Sequence, residues 1–114
     1  MDILVNTDSN VDCDAEEVRR IEADLRSTFD RFDHRVTRIE VHLSDESAGR
    51  ETRDDTRCLL EARPSGMDPV VVRHHATGVD EALSGATDKL MSLLTKAFDR
   101  RTDREHGRDT IRGH

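Results

Sequence analysis

The sequence contains no tryptophan and no tyrosine, and its only aromatic residues are Phe29, Phe32 and Phe98. So few rings argue against a sheet that stacks bases on exposed aromatics, as RNA-recognition motifs do. Cysteine is nearly missing as well. Cys13 and Cys58 come with no secretory apolar segment and no paired-cysteine framework, which points to free thiols in a reducing, cytoplasmic setting. No run approaches the ~20 apolar residues that span a bilayer, which excludes a membrane protein. Apolar residues make up only 33% of the chain against 38% charged, so the core is expected to be lean and periodicity must show that the chain folds.

What is present fits one small domain. The 114 residues suffice for a single core. The net charge of −7 is unevenly spread: residues 1–33 hold ten acids against four arginines, residues 34–78 eight against seven, and residues 79–114 seven against seven. A chain this acidic is no sequence-blind polyanion binder, because counterion release needs many Lys and Arg contacts; a local basic stripe remains compatible with it.

Ile3 and Val5 alternate with polar neighbours and Leu4 in a short opening strand, followed by a polar turn through Asp8, Ser9 and Asn10. Asp14, with Glu17 three residues on, caps a helix of about five turns whose apolar stripe is Val18, Ile21, Leu25, Phe29 and Phe32. Thr37, Ile39, Val41 and Leu43 alternate with Arg38, Glu40 and His42, the period of a strand with one buried face. Residues Asp45 to Asp55 read as a long hairpin loop. Cys58, Leu60 and Ala62 then alternate with Arg57, Glu61 and Arg63, and a turn with Pro64, Gly66 and Pro69 leads into Val70, Val71 and Val72. Thr77 caps a second helix with the stripe Val79, Leu83, Ala86, Leu90, Leu94 and Ala97, reaching about Arg101. Residues 104–114 hold only Ile111 as an apolar side chain and are expected to form a disordered tail after a domain spanning 1–103. The resulting fold class is α+β, a βαβββα chain with a four-stranded mixed sheet and two helices packed on one face.

Taken together, Ile3-Leu4-Val5, Phe32-Asp33, the run Arg35 to Leu43, Cys58 to Ala62, Val70 to Val72, and Val79 to Leu83 continuing through Asp88-Lys89-Leu90 form an ordered set. In this set the chain resembles the ribosome hibernation promoting factors, also called ribosome-associated inhibitor A or sigma-factor modulation proteins, over about residues 1–103. The resemblance implies a domain that binds the small ribosomal subunit and its rRNA near the decoding centre and silences translation under stress, with no enzymatic activity, cofactor or small-molecule substrate. It further implies basic residues along both helices. Lys89, Lys96 and Arg100 match in the second, with Arg101 beside them, whereas Ser92 and Phe98 stand where basic residues are common. The second, dimerising domain of long family members has no counterpart here, and the oligomeric state stays open.

At 100° per residue, Lys89, Lys96 and Arg100 fall within about 40° of one another, a lateral line suited to phosphate contact. The plain alternative is a solvated face favoured by the helix dipole. Arg19 and Arg26, seven apart on the first helix, and Arg35 are secondary candidates, although Glu16, Glu22 and Asp30 suggest local ion pairs for the first two. A reading from another class is an acidic module that binds a basic partner protein through the first helix. His74 and His75 point to opposite faces of a strand, which argues against a shared metal. Cys13 lacks an activating neighbour and Cys58 lies on a buried face, so neither suits a nucleophile. No phosphate-cradling glycine loop and no convergent acid/base pair emerge.

Overall fold

The computed structural model describes the chain apart from residues 9, 10, 12, 46–55, 113 and 114, and apart from the side chains beyond Arg100. The order is β1 (Asp2–Thr7), α1 (Ala15–Thr28), a 3-10 turn (Asp30–Phe32), β2 (Val36–Asp45), β3 (Thr56–Pro64), β4 (Val70–Ala76) and α2 (Val79–Arg112). The strands form one sheet in the order β1-β2-β3-β4, with β1 parallel to β2 and the other pairs antiparallel. This is the expected βαβββα architecture.

Asp14 caps α1, its carboxylate accepting the backbone N–H of Glu17 at 2.8 Å. The helix is a turn shorter than its stripe suggests. At Phe29 the chain tightens, and Phe32, Asp33 and Arg35 each donate to the carbonyl three residues back, swinging the backbone round into β2. Phe29 and Phe32 still enter the core, from the cap and the 3-10 turn.

In β2 the buried set is Val36, Ile39, Val41 and Leu43, and Thr37 is exposed where alternation placed it inside. A register shift against β3 between Val36 and Arg38 is the cause: the bulge inserts an extra residue, and Val36 takes the inward position. Thr37 instead donates its hydroxyl to the Arg63 carbonyl at 2.9 Å. Gly66 allows the β3–β4 turn, since its φ of 72° lies where side chains are disfavoured.

The core is one cluster between the sheet and both helices. Ile21, Leu25, Phe29 and Phe32 meet Ile3, Ile39, Val41, Leu43, Cys58, Leu60, Ala62 and Val72, and α2 closes it with Ala82, Ala86, Leu90, Leu94 and Phe98. The buried line of α2 therefore advances strictly by four. Ala82 and Phe98 lie on it, while Val79, Leu83 and Ala97 are half-buried at its margins. A spacing of four drifts 40° per step around the helix, so the line stays in contact with a twisted sheet. Gly85 leaves room for the half-buried His74 ring of β4, which a Cβ there would overlap. The α2 backbone continues to Arg112, past the Arg101 expected from the apolar pattern. Apart from that backbone, the tail 104–114 lies outside the described residues, as does the Asp45 to Asp55 loop beyond Asp45.

Both cysteines are free. Burial pushes the Cys58 thiol up to about 12, and burial followed by the Glu17 carboxylate raises Cys13. The unfolded chain ionises Cys58 near 9.0, so its buried neutral thiol stabilises the fold fully below that pH and loses the contribution as pH rises towards 12. Between pH 8 and 10.5 this group alone should remove ~2 kcal/mol in urea titrations, from ~1.4 kcal/mol per pKa unit, and Cys58→Ala should flatten that slope. An unchanged slope in the variant would refute the assignment.

Candidate nucleic-acid interface

The described lysines and arginines fall mostly in four places set by the fold. On the flank of α2 beside β4, Lys89, Lys96 and Arg100 are all exposed along one line. Lys89 reaches down to the sheet edge and donates from Nζ to the Arg73 carbonyl at 2.9 Å, leaving two of its three N–H groups for another acceptor. Arg100 folds back onto the Lys96 carbonyl at 3.4 Å and overhangs the β3–β4 turn, where it shares a groove with Met67, Asp68 and Pro69. The side chain of Arg101 lies outside the described residues.

Arg19 and Arg26 occupy the opposite margin. Arg26 donates to the Met1 carbonyl at 2.9 Å, which sets this flank over β1, and Arg19 is exposed with no partner among the described residues. The local ion pairs expected for these two do not form. The pair that does form belongs to Arg20, whose guanidinium meets Asp80 at 3.2 Å and ties α1 to the first turn of α2. The two expected basic lines therefore run along opposite borders of the helical layer.

The third place is the end of that layer. The rings of Phe32 and Phe98 stack at 5.3 Å between centroids and 29° between planes. Arg31 lies over Phe32 at 4.6 Å and donates to the Thr95 hydroxyl at 2.7 Å, joining the 3-10 turn to α2. Arg35 lies over Phe98 at 3.9 Å.

The sheet face away from the helices carries Arg38, Arg57, Arg63, Arg73, Glu40 and Glu61 among polar and apolar residues. Arg38 lies beside Arg63 and Glu40 beside Glu61 across the β2–β3 ladder. Arg38 and Arg63 are each neutralised along their own strand, Arg38 by Glu40 at 3.3 Å and Arg63 by Glu61 at 3.0 Å. This quartet carries no net charge, so the face is a weaker candidate than its arginine content suggests.

His74 and His75 point to opposite faces, one against Gly85 and one exposed. Among the described residues no group of three or more His, Cys, Asp or Glu is placed to hold a metal ion, and no helix is long and apolar enough to cross a membrane.

No family model and no curated protein matches the chain. Solved structures do. A ribosomal subunit interface protein from Coxiella burnetii superposes with a TM-score of 0.66 at 12% identity, covering 87% of this chain and 99% of that one. The N-terminal domain of Thermus thermophilus Protein Y gives 0.67 at 17%, covering 84% and 98%. The chain has the fold that these two structures share. Within this fold, Phe98 departs from expectation: it is no surface position lacking a basic residue but a core ring, 3% exposed. Arg35 brings a positive charge there from another element. Sequence reasoning missed Arg31 altogether, and its one signal was position, immediately before a stripe phenylalanine.

Proposed function

We propose that this chain is a ribosome-associated translation inhibitor that binds rRNA of the small ribosomal subunit near its decoding centre, with Lys89, Lys96 and Arg100 as its principal phosphate contacts. The observation that carries this reading is the exposed cationic flank of α2 beside β4 on an otherwise acidic domain. Its geometry suits docking on a folded RNA backbone, since spaced cations neutralise phosphates without reading sequence. Arg19, Arg26 and Arg101 are secondary contacts, because the first two sit on the far border of the helical layer. No catalytic group or cofactor is required, and the site of action is the cytoplasm. The likeness of the fold to a ribosomal subunit interface protein supports the choice of partner.

Co-sedimentation with purified small ribosomal subunits tests it. Three phosphate contacts give an affinity that falls ~30-fold between 50 and 200 mM salt, from a slope of roughly 0.8 per contact. Changing Lys89, Lys96 and Arg100 together to Glu should weaken binding at least ~100-fold, since attraction becomes repulsion at three positions. Undiminished binding by the triple variant would remove these residues from the interface, and no binding by the parent at low salt would remove the ribosome. A basic protein captured by the acidic first helix instead would favour the interaction-module reading.

A further inference from the structure

We propose that the Arg35 guanidinium, laid over the Phe98 ring at the end of the helical layer, is a stacking platform for an unpaired nucleobase of RNA. The inference rests on the RNA-binding reading above and deepens it by naming a base-contacting residue distinct from the phosphate-binding line.

Four observations converge on it. The Arg35 Cζ lies over the Phe98 ring, 3.9 Å from its centroid and within van der Waals contact. The ring cannot yield, because Phe98 is 3% exposed and stacked on Phe32. The backbone of Arg35 is held on both sides, its N–H donating to the Phe32 carbonyl and its own carbonyl accepting from Ser65, each at 2.9 Å. Finally, the exposed Arg35 side chain has no acceptor or counter-ion among the described residues. The neighbouring Arg31 shows the contrasting case: it also covers a ring, but its guanidinium is engaged by Thr95 and acts as a strut.

A planar cation fixed on one face by an aromatic ring presents its other face already ordered. Such a face suits a flat, electron-rich base, because guanidinium planes stack on bases and aromatics whereas an ammonium acts only as a point charge. A phosphate would use the edge donors and gain nothing from the ring beneath. Phosphate binding and base stacking therefore predict different responses to replacing arginine with lysine, which keeps the charge and removes the plane.

The experiment compares a short oligoadenylate with an abasic RNA of the same length and charge, by fluorescence anisotropy at low salt. The parent protein should prefer the base-bearing strand by roughly 5- to 100-fold, the worth of one stacked base. In Arg35→Lys the preference should vanish while affinity for the abasic strand is unchanged. Phe98→Leu, which keeps an apolar side chain in the core and removes the ring, should lose the same preference. Equal affinity of the parent for both strands, or a preference that survives Arg35→Lys, overturns the proposal. Small subunits assayed in parallel keep the two readings apart: failure to co-sediment counts against the ribosome, and the oligoadenylate comparison decides the stack by itself.

Discussion

Replacing Phe29 by alanine should lower the thermal unfolding midpoint by ~10–25 °C, the largest stability effect expected of any single substitution in this chain. Phe29 is 0% exposed and sits where α1 gives way to the 3-10 turn, with its N–H bonded to the Leu25 carbonyl. Truncation removes a buried ring and leaves a cavity that a close-packed interior fills only in part, at ~3–5 kcal/mol. Three core positions, Ala62, Ala82 and Ala86, are alanines that cannot extend into the void. A domain of this size holds ~5–15 kcal/mol in total, so the variant keeps little margin. Leu93→Ala is the matching control: Leu93 is 39% exposed, and its loss should cost under ~0.5 kcal/mol. A Phe29→Ala midpoint within ~5 °C of the parent would mean that the core does not depend on this ring.

Phe98→Ala should cost about 3 kcal/mol and, unlike Phe29→Ala, should loosen one end of the molecule first. Phe98 is the last described residue on the buried line of α2 and meets the rest of the fold through Phe32. Without the ring, Arg35 also loses its support. Amides of residues 95–100 should then exchange with solvent at least ~10-fold faster at conditions where amides of β2 are unaffected, because a local opening needs less free energy than global unfolding. Since Lys96 and Arg100 flank Phe98, affinity for small subunits should fall in parallel, whereas Lys89, anchored on the Arg73 carbonyl, keeps its place. Uniform acceleration across the sheet and the end of α2 would show instead that Phe98 belongs to the global unfolding unit.

Much of this architecture is legible in local pattern. Ile39, Val41 and Leu43 had to share a face, as did Cys58, Leu60 and Ala62, because a strand alternates sides at every residue. Lys89, Lys96 and Arg100 had to share a flank, because a helix turns 100° per residue. Asp14 announced the start of α1 by the same local logic. Where the reading erred, a tertiary demand had overridden the repeat: Thr37 was displaced by a bulge, α1 was cut short so that the chain could enter β2, and the buried line of α2 shifted to Ala82 and Phe98.

The sequence by itself determined the order of elements, most of their inward positions and the cationic flank of α2, since each follows from spacing within one segment. Only the tertiary structure decided that Arg19 and Arg26 lie on the opposite border from that flank, that Arg38 and Glu40 come to lie beside Arg63 and Glu61, and that Arg35 comes to rest on Phe98. These are meetings between residues far apart in the chain. Their geometry depends on strand register and on how two helices cross a twisted sheet, quantities that no local period encodes.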